Sequence, residues 1–236
     1  MALRSGNDNA NTLSGTNGND SIYGNGGNDV AFGRASADTI FGGAGNDTLN
    51  GQDGQDSLFG DANNDRLYGA DGPDVVNGGS GNDNLFGGND EDLVSGETGN
   101  DTIDGGQRDD DLRGGHGDDR ISGVTGDDFL RGNSGLDVLI GGDGNDTQRG
   151  GSATDSLFGS NGNDILEGEA GNDTVNGASG QDTLRRDNGN DRLFGGAGDD
   201  FVNGNNGDDY LSGGSGSDQI YGGADNDTLL RSGRHA

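Results

Sequence analysis

The chain contains no cysteine and no tryptophan, and it has 13 basic residues against 43 acidic ones. Without cysteine no disulfide can staple the fold, although bound metal ions can take that role outside the cell. Hydrophobic residues reach only 25% of the sequence and aromatics only 5%. No stretch approaches the roughly 20 apolar residues needed to cross a bilayer. The opening MALRSGND lacks the apolar core of a secretory leader, so no export signal of the usual kind is expected there. A net charge of -30 disfavours binding to nucleic acid backbones and to anionic lipid. By composition alone such a chain would be disordered.

Periodicity overrules composition. A nonapeptide of the form G-x-x-G-x-D-x-U-x, with U a large aliphatic residue, repeats 25 times without a slip over residues 6–230. Only the tails 1–5 and 231–236 stand outside it, so the whole chain, 1–236, is expected to form a single repeat domain. Position 1 is glycine in 24 copies, with Arg186 the exception. Position 6 is aspartate in 24, with Asn11 the neutral isostere in the first copy. Position 8 is Leu, Ile or Val in 23, interrupted by Ala31 and Gln148. Position 5 is often asparagine, as at Asn46, Asn82 and Asn172, a residue that tolerates turns.

Positions 1 to 6 are rich in Gly, Asn and Asp and read as a turn. Positions 7 to 9, such as Thr48-Leu49-Asn50, alternate polar and apolar and read as a strand of three residues. An apolar residue every nine positions cannot form a helical stripe. Short strands need neighbours. Two nonapeptides per coil give one strand on each of two sheets, with successive coils about 4.8 Å apart and the position-8 aliphatics between the sheets. One aliphatic per nine ordered residues makes a thin core, too small alone to offset the chain entropy lost on folding.

Stacking turns the register into two ladders of carboxylates, with successive members two nonapeptides apart. Asp20, Asp38, Asp56, Asp74, Asp92, Asp110, Asp128, Asp146, Asp164, Asp182, Asp200 and Asp218 share one edge. Asp29, Asp47, Asp65, Asp83, Asp101, Asp119, Asp137, Asp155, Asp173, Asp191, Asp209 and Asp227 share the other. At coil spacing, neighbouring carboxylates repel by about 0.9 kcal/mol in water and about 3.5 kcal/mol at an effective dielectric of 20. The basic residues are too few and too irregular to offset this, so a cation at each step is the simple remedy. Carboxylates and turn carbonyls, with only His116 and His235 as nitrogen ligands, favour a hard ion. Calcium suits flexible, carbonyl-rich loops better than magnesium. Pairing each aspartate with the next on its own edge gives up to 22 calcium sites. Filling them all would carry the net charge from -30 to +14, so partial occupancy is expected.

Copies such as Gly42-Gly43-Ala44-Gly45-Asn46-Asp47-Thr48-Leu49-Asn50 and Gly78-Gly79-Ser80-Gly81-Asn82-Asp83-Asn84-Leu85-Phe86 resemble the RTX (hemolysin-type) repeats of bacterial proteins exported by the type I pathway. The resemblance covers about 95% of the chain. It implies an all-β fold, a right-handed parallel β-roll of about 12.5 coils, with calcium held in the turns by aspartate carboxylates and backbone carbonyls. It also implies a chain disordered in calcium-poor cytoplasm that folds in the extracellular space, secreted or at the bacterial surface, as a structural module of a larger protein. Relatives of that kind carry a secretion signal and a catalytic, pore-forming or adhesive region beside the repeats. The ending LLRSGRHA supplies neither, which points to an excised or designed repeat block.

No HExxH zinc pattern, nucleophile elbow or lysine-bearing phosphate loop occurs, so no enzyme activity and no catalytic residues are expected. Nine of the twelve aromatics fall at position 9, among them Tyr23, Phe41, Phe59, Tyr68 and Phe86. They are read as packing on the sheet surface, with contact to another domain or a second roll as the sharper alternative. A second class of function, an acidic module that mimics nucleic acid or binds mineral, predicts a fold that persists without calcium. Gln148, Ala31 and Arg186 are expected to be local defects.

Overall fold

The computed structural model describes residues 2–230; the tail 231–236, and His235 with it, lies outside them. The described residues form 26 strands and no helix, so no helix there is long and apolar enough to cross a membrane. The chain divides into two compact units, Met1–Ile121 and Ser122–Ala236. Both are parallel two-sheet β-solenoids in which each coil takes two nonapeptides. In the first unit Ser21–Gly26, Thr39–Ala44, Ser57–Ala62 and Val75–Ser80 lie side by side in one sheet. Val30–Ala35, Thr48–Asp53, Arg66–Asp71 and Asn84–Asn89 lie in the other. The second unit repeats the pattern, with Thr147–Ser152 beside Ile165–Ala170 and Val138–Asp143 beside Ser156–Asn161.

The register follows the sequence period. Leu49 pairs with Leu67 and Leu67 with Leu85 in the first unit; Leu139 pairs with Leu157 and Leu157 with Val175 in the second. Like therefore stacks on like, the arrangement a perfect repeat favours. Leu3–Ser5, ahead of the first repeat, also pairs in register with Ser21–Tyr23.

The position-8 residues form the core as expected. Ile22, Ile40, Leu58 and Val76 from one sheet and Leu49, Leu67 and Leu85 from the other are fully buried. Leu157, Leu166, Val175 and Leu193 do the same in the second unit. Five of the position-9 aromatics, Tyr23, Phe41, Phe59, Tyr68 and Phe86, stack along the coil direction on the sheet surface. Ring centroids of Tyr23 and Phe41 are 5.1 Å apart, those of Phe41 and Phe59 4.9 Å, and those of Tyr68 and Phe86 4.9 Å.

Strand length departs from expectation. Most strands run six residues, from position 7 through position 3 of the next repeat, as in Ser57–Ala62. Each bends in the middle: position 1 has no partner in the register, and position 2 takes a positive φ, 77° at Asn25 and 75° at Glu97. Gly, Asn and Asp suggest a turn over positions 1 to 6, but pairing with the coils on either side draws half of those residues into the sheet. Local propensity for β structure yields readily to such neighbours. The true corner is positions 4 to 6.

Gln148 occupies a core position and is completely buried. Its Nε2 donates to the Phe158 carbonyl at 2.7 Å, whereas Oε1 has no partner. A buried acceptor without a donor costs about 1–3 kcal/mol. Gln148→Leu should therefore stabilise the folded chain by about 1–2 kcal/mol, raising its melting temperature at saturating calcium. An unchanged or lower value would count against this account of the site.

Candidate metal centre

Of the 24 ladder aspartates, 22 are buried; Asp218 and Asp227, in the last full coil, are half-buried. In the first unit the structure brings together Asp20, Asp38, Asp56, Asp74, Asp92 and Asp110 along one edge. Asp29, Asp47, Asp65, Asp83, Asp101 and Asp119 line the other. The second unit does the same with Asp128, Asp146, Asp164, Asp182, Asp200 and Asp218. Its second edge holds Asp137, Asp155, Asp173, Asp191, Asp209 and Asp227.

One hydrogen bond links each step. The backbone N–H of one aspartate donates to Oδ1 of the aspartate 18 residues on, as from Asp38 to Asp56 at 2.7 Å and from Asp146 to Asp164 at 2.8 Å. The aspartate carbonyl accepts from position 7 of the next coil, as from the Ser57 N–H to Asp38 at 2.9 Å. Each ladder aspartate thus ties its coil to the neighbours through both side chain and backbone. The first member shows how the ladder ends: Asn11 donates its N–H to Asp29 Oδ1, while its own Oδ1 turns back to accept from Asn7.

The second carboxylate oxygen is different. Oδ2 of Asp38, Asp47, Asp56, Asp65, Asp74, Asp83, Asp92 and Asp101 is buried with no hydrogen-bond donor. The same holds for Asp146, Asp155, Asp164, Asp182, Asp200 and Asp209. Buried polar atoms are ordinarily satisfied, and a row of buried carboxylate oxygens without donors is the chemistry that a cation corrects.

The space beside those oxygens exists because position 1 is glycine. A Cβ on Gly33 would stand 2.5 Å from Asp38 Oδ2 and 2.7 Å from the Gly51 carbonyl oxygen. One on Gly150 would stand 2.5 Å from Asp155 Oδ2 and 2.9 Å from the Gly168 oxygen. Glycine is needed here for room, since neither residue has a positive φ. A carboxylate oxygen and a backbone carbonyl oxygen converge on the same small cradle at Gly42, Gly60, Gly69, Gly159 and Gly195. Among the described residues no group of three or more Asp, Glu, His or Cys side chains assembles as a metal cluster. Any ion in the ladder must therefore draw on backbone carbonyls together with pairs of carboxylates. That mixed oxygen set suits calcium.

Burial raises Asp38, Asp47 and Asp83 above the ordinary carboxyl value of 3.8 and others in the middle of the ladders further still. It pushes Asp65 up to about 8, working against the N–H bond from Asp47, and the charges of Asp83, Asp47 and Asp61 add to the rise. Asp74 and Asp92 rise to about 7, and Asp56 and Asp101 to about 6, again chiefly through burial. In the second unit burial carries Asp146 to about 7 and Asp164 and Asp182 to about 6. A carboxyl that holds its proton more tightly when folded favours folding in acid. That contribution is complete below the unfolded value of 3.8 and is lost as pH rises through about 6 to 8. In the presence of a calcium chelator, the far-ultraviolet circular dichroism should therefore gain β signal as pH falls from 9 to 4. A signal that fades on acidification would contradict the buried, mutually repelling ladder.

Two features escaped the sequence reading. Position-5 residues form a second, outer ladder, in which the Asn46 N–H donates to Asn28 Oδ1 at 2.9 Å and the Asn82 N–H to Asn64 Oδ1 at 2.8 Å. The Asn163 N–H donates to Asn145 Oδ1 at 2.9 Å in the second unit. These bonds run backwards along the chain, opposite to those of the aspartates, and the recurrence of asparagine in every second repeat from Asn28 to Asn100 was the signal for them. The other feature is Arg186. Its side chain is buried in the second ladder, with Nη2 against Asp173 Oδ2 and 2.6 Å from Asp191 Oδ1; nothing but its break in the glycine pattern marked it out.

Comparison with known families returns a match to the RTX calcium-binding nonapeptide repeat (4 copies), in overlapping segments. These are residues 5–40, 32–67, 59–94, 68–103, 95–130, 122–147, 149–184, 187–220 and 203–230. The matches are interrupted only at Gln148 and at Arg185 and Arg186, so two of the three interrupted residues are those whose side chains depart from the pattern inside the roll. No curated protein matches the chain.

Proposed function

The chain belongs to the RTX calcium-binding nonapeptide repeat family, and on that premise we propose that calcium in the aspartate ladders is the switch that folds it. It is a calcium-binding structural repeat module. The observation that carries the proposal is the row of buried Oδ2 atoms without donors, several of which, as at Asp38, Asp65 and Asp155, face a glycine carbonyl across a cradle that a single methyl group would fill.

In this reading each step of a ladder supplies the carboxylates of two aspartates from successive coils, together with glycine carbonyls, up to about 22 sites in all. Bound calcium supplies the positive charge that lets adjacent carboxylates stack while ionised. The remaining work is done by the chain. Position-1 glycines keep the cradle open, the aspartate N–H groups hold each carboxylate in place through Oδ1, and the position-8 aliphatics exclude water beneath. With calcium scarce, a net charge of -30 and a thin core leave the chain unfolded. With calcium abundant, binding free energy becomes folding free energy.

That coupling suits a bacterial protein that leaves the cell unfolded and becomes ordered outside it, in the secreted or surface-bound state. The repeats serve as a scaffold and folding device for a larger protein, with the exposed flanks of the aromatic stacks available to a neighbouring domain or a second roll.

Circular dichroism should show a β signal that appears cooperatively on adding calcium and disappears with a strong chelator at neutral pH. A signal indifferent to the chelator would sink the proposal. Asp65 serves two steps, with Asp47 before it and Asp83 after it. Asp65→Ala should accordingly lower the calcium count by two per chain in titration calorimetry. An unchanged stoichiometry would exclude shared ligands.

A further inference from the structure

Arg186 stands where 24 of the 25 repeats have glycine. A side chain at position 1 has no free space, because Oδ2 of the repeat's own aspartate and a carbonyl of the next coil already converge there. The Arg186 side chain instead runs along the inside of the ladder towards the preceding coil. Its Nη1 occupies the point where a Cβ on Gly168 would stand, inside the cradle that Gly168 shares with Asp173. Nη2 lies against Asp173 Oδ2 and donates to Asp191 Oδ1 at 2.6 Å. All of these groups are buried. The strand is cut short locally: Thr183–Arg185 ends after three residues where its neighbours run six, and only single bridges at Asn188 continue the pairing.

The guanidinium therefore bridges the carboxylates of successive coils through Asp173 Oδ2 and Asp191 Oδ1, while Asp191 Oδ2, like Oδ2 of Asp47 and Asp65, keeps no donor. The ladder bonds on both sides of it are kept, with the Asp173 N–H 2.8 Å from Asp191 Oδ1 and the Asp191 N–H 2.9 Å from Asp209 Oδ1. A buried cation at this one place leaves the geometry of the ladder as it is elsewhere.

We propose that Arg186 is a tethered substitute for a calcium ion: the Asp173–Asp191 step is neutralised by the chain itself and binds no metal. This rests on the calcium reading of the ladders and refines it. One step of the roll is then independent of calcium supply, and the chain carries one ion fewer than its aspartate pairs would allow. An arginine is always charged and cannot dissociate from its site, so this step stays neutralised at any calcium concentration.

The test is a calcium count by native mass spectrometry on the full chain at saturating calcium chloride, comparing the parent with Arg186→Gly and Arg186→Lys. Restoring the glycine of the repeat should reopen the cradle, and Arg186→Gly should hold one more calcium per chain than the parent. Arg186→Lys keeps a cation in the slot and should hold the parental number. Equal counts in the parent and Arg186→Gly would overturn the substitution while leaving the calcium reading intact. A parent that takes up no calcium would overturn both. Should Arg186→Gly stay unfolded at saturating calcium while Arg186→Lys folds, metal cannot take over this step, and the proposal fails.

Discussion

The bond that joins one coil to the next is also the one that charges the structure against itself. An aspartate N–H reaches the carboxylate of its counterpart in the following coil, so each coil is fastened to its neighbour through an anion. That anion is buried and lies next to two more like it. Hydrogen bonds to a carboxylate are among the stronger ones available to a protein, yet a buried carboxylate without a counter-charge is among the costlier groups to carry. The directional tie and the electrostatic burden reside in the same side chain. Removing the burden without losing the tie requires a positive charge that reaches the carboxylates while leaving the N–H bond to Oδ1 in place.

Other features of the coil follow from that requirement. Glycine at position 1 leaves the space beside Oδ2. The aliphatic at position 8 closes the interior below and keeps water from satisfying the remaining lone pairs. Position 5, mostly asparagine with aspartate at Asp127, Asp199 and Asp208, forms a second ladder on the outside that holds the corners in register. The core is one residue thick because the sheets are held chiefly by what happens at their edges. Two kinds of cation suit the inner position, a mobile divalent ion and the guanidinium of Arg186, and they differ in whether solvent composition controls them.

Much of this was legible in the sequence because a strict repeat fixes its own geometry. One nonapeptide per strand and two strands per coil place Asp20 beneath Asp38 and Leu49 beneath Leu67 with no further information. The core positions, the membership of both ladders and the parallel two-sheet solenoid all follow from that count. Strand length did not, because Gly42-Gly43-Ala44 looks like a corner when judged by local propensity and becomes sheet only through hydrogen bonds with other coils. Arg186 was harder. A lone departure from a repeat reads as damage, and only the path of its side chain towards Gly168 and Asp173 reveals a part that fits.

The same regularity makes length a quantised property of this molecule. Loss or gain of one whole coil away from Arg186 and Gln148 leaves every later strand in its own sheet and every ladder on its own edge. Loss of a single nonapeptide exchanges the sheets from that point on: Phe41 would no longer lie between Tyr23 and Phe59, and the two aspartate edges would cross over. Whole coils are thus the natural unit in which such a chain can lengthen or shorten over generations, and half-coils leave a seam.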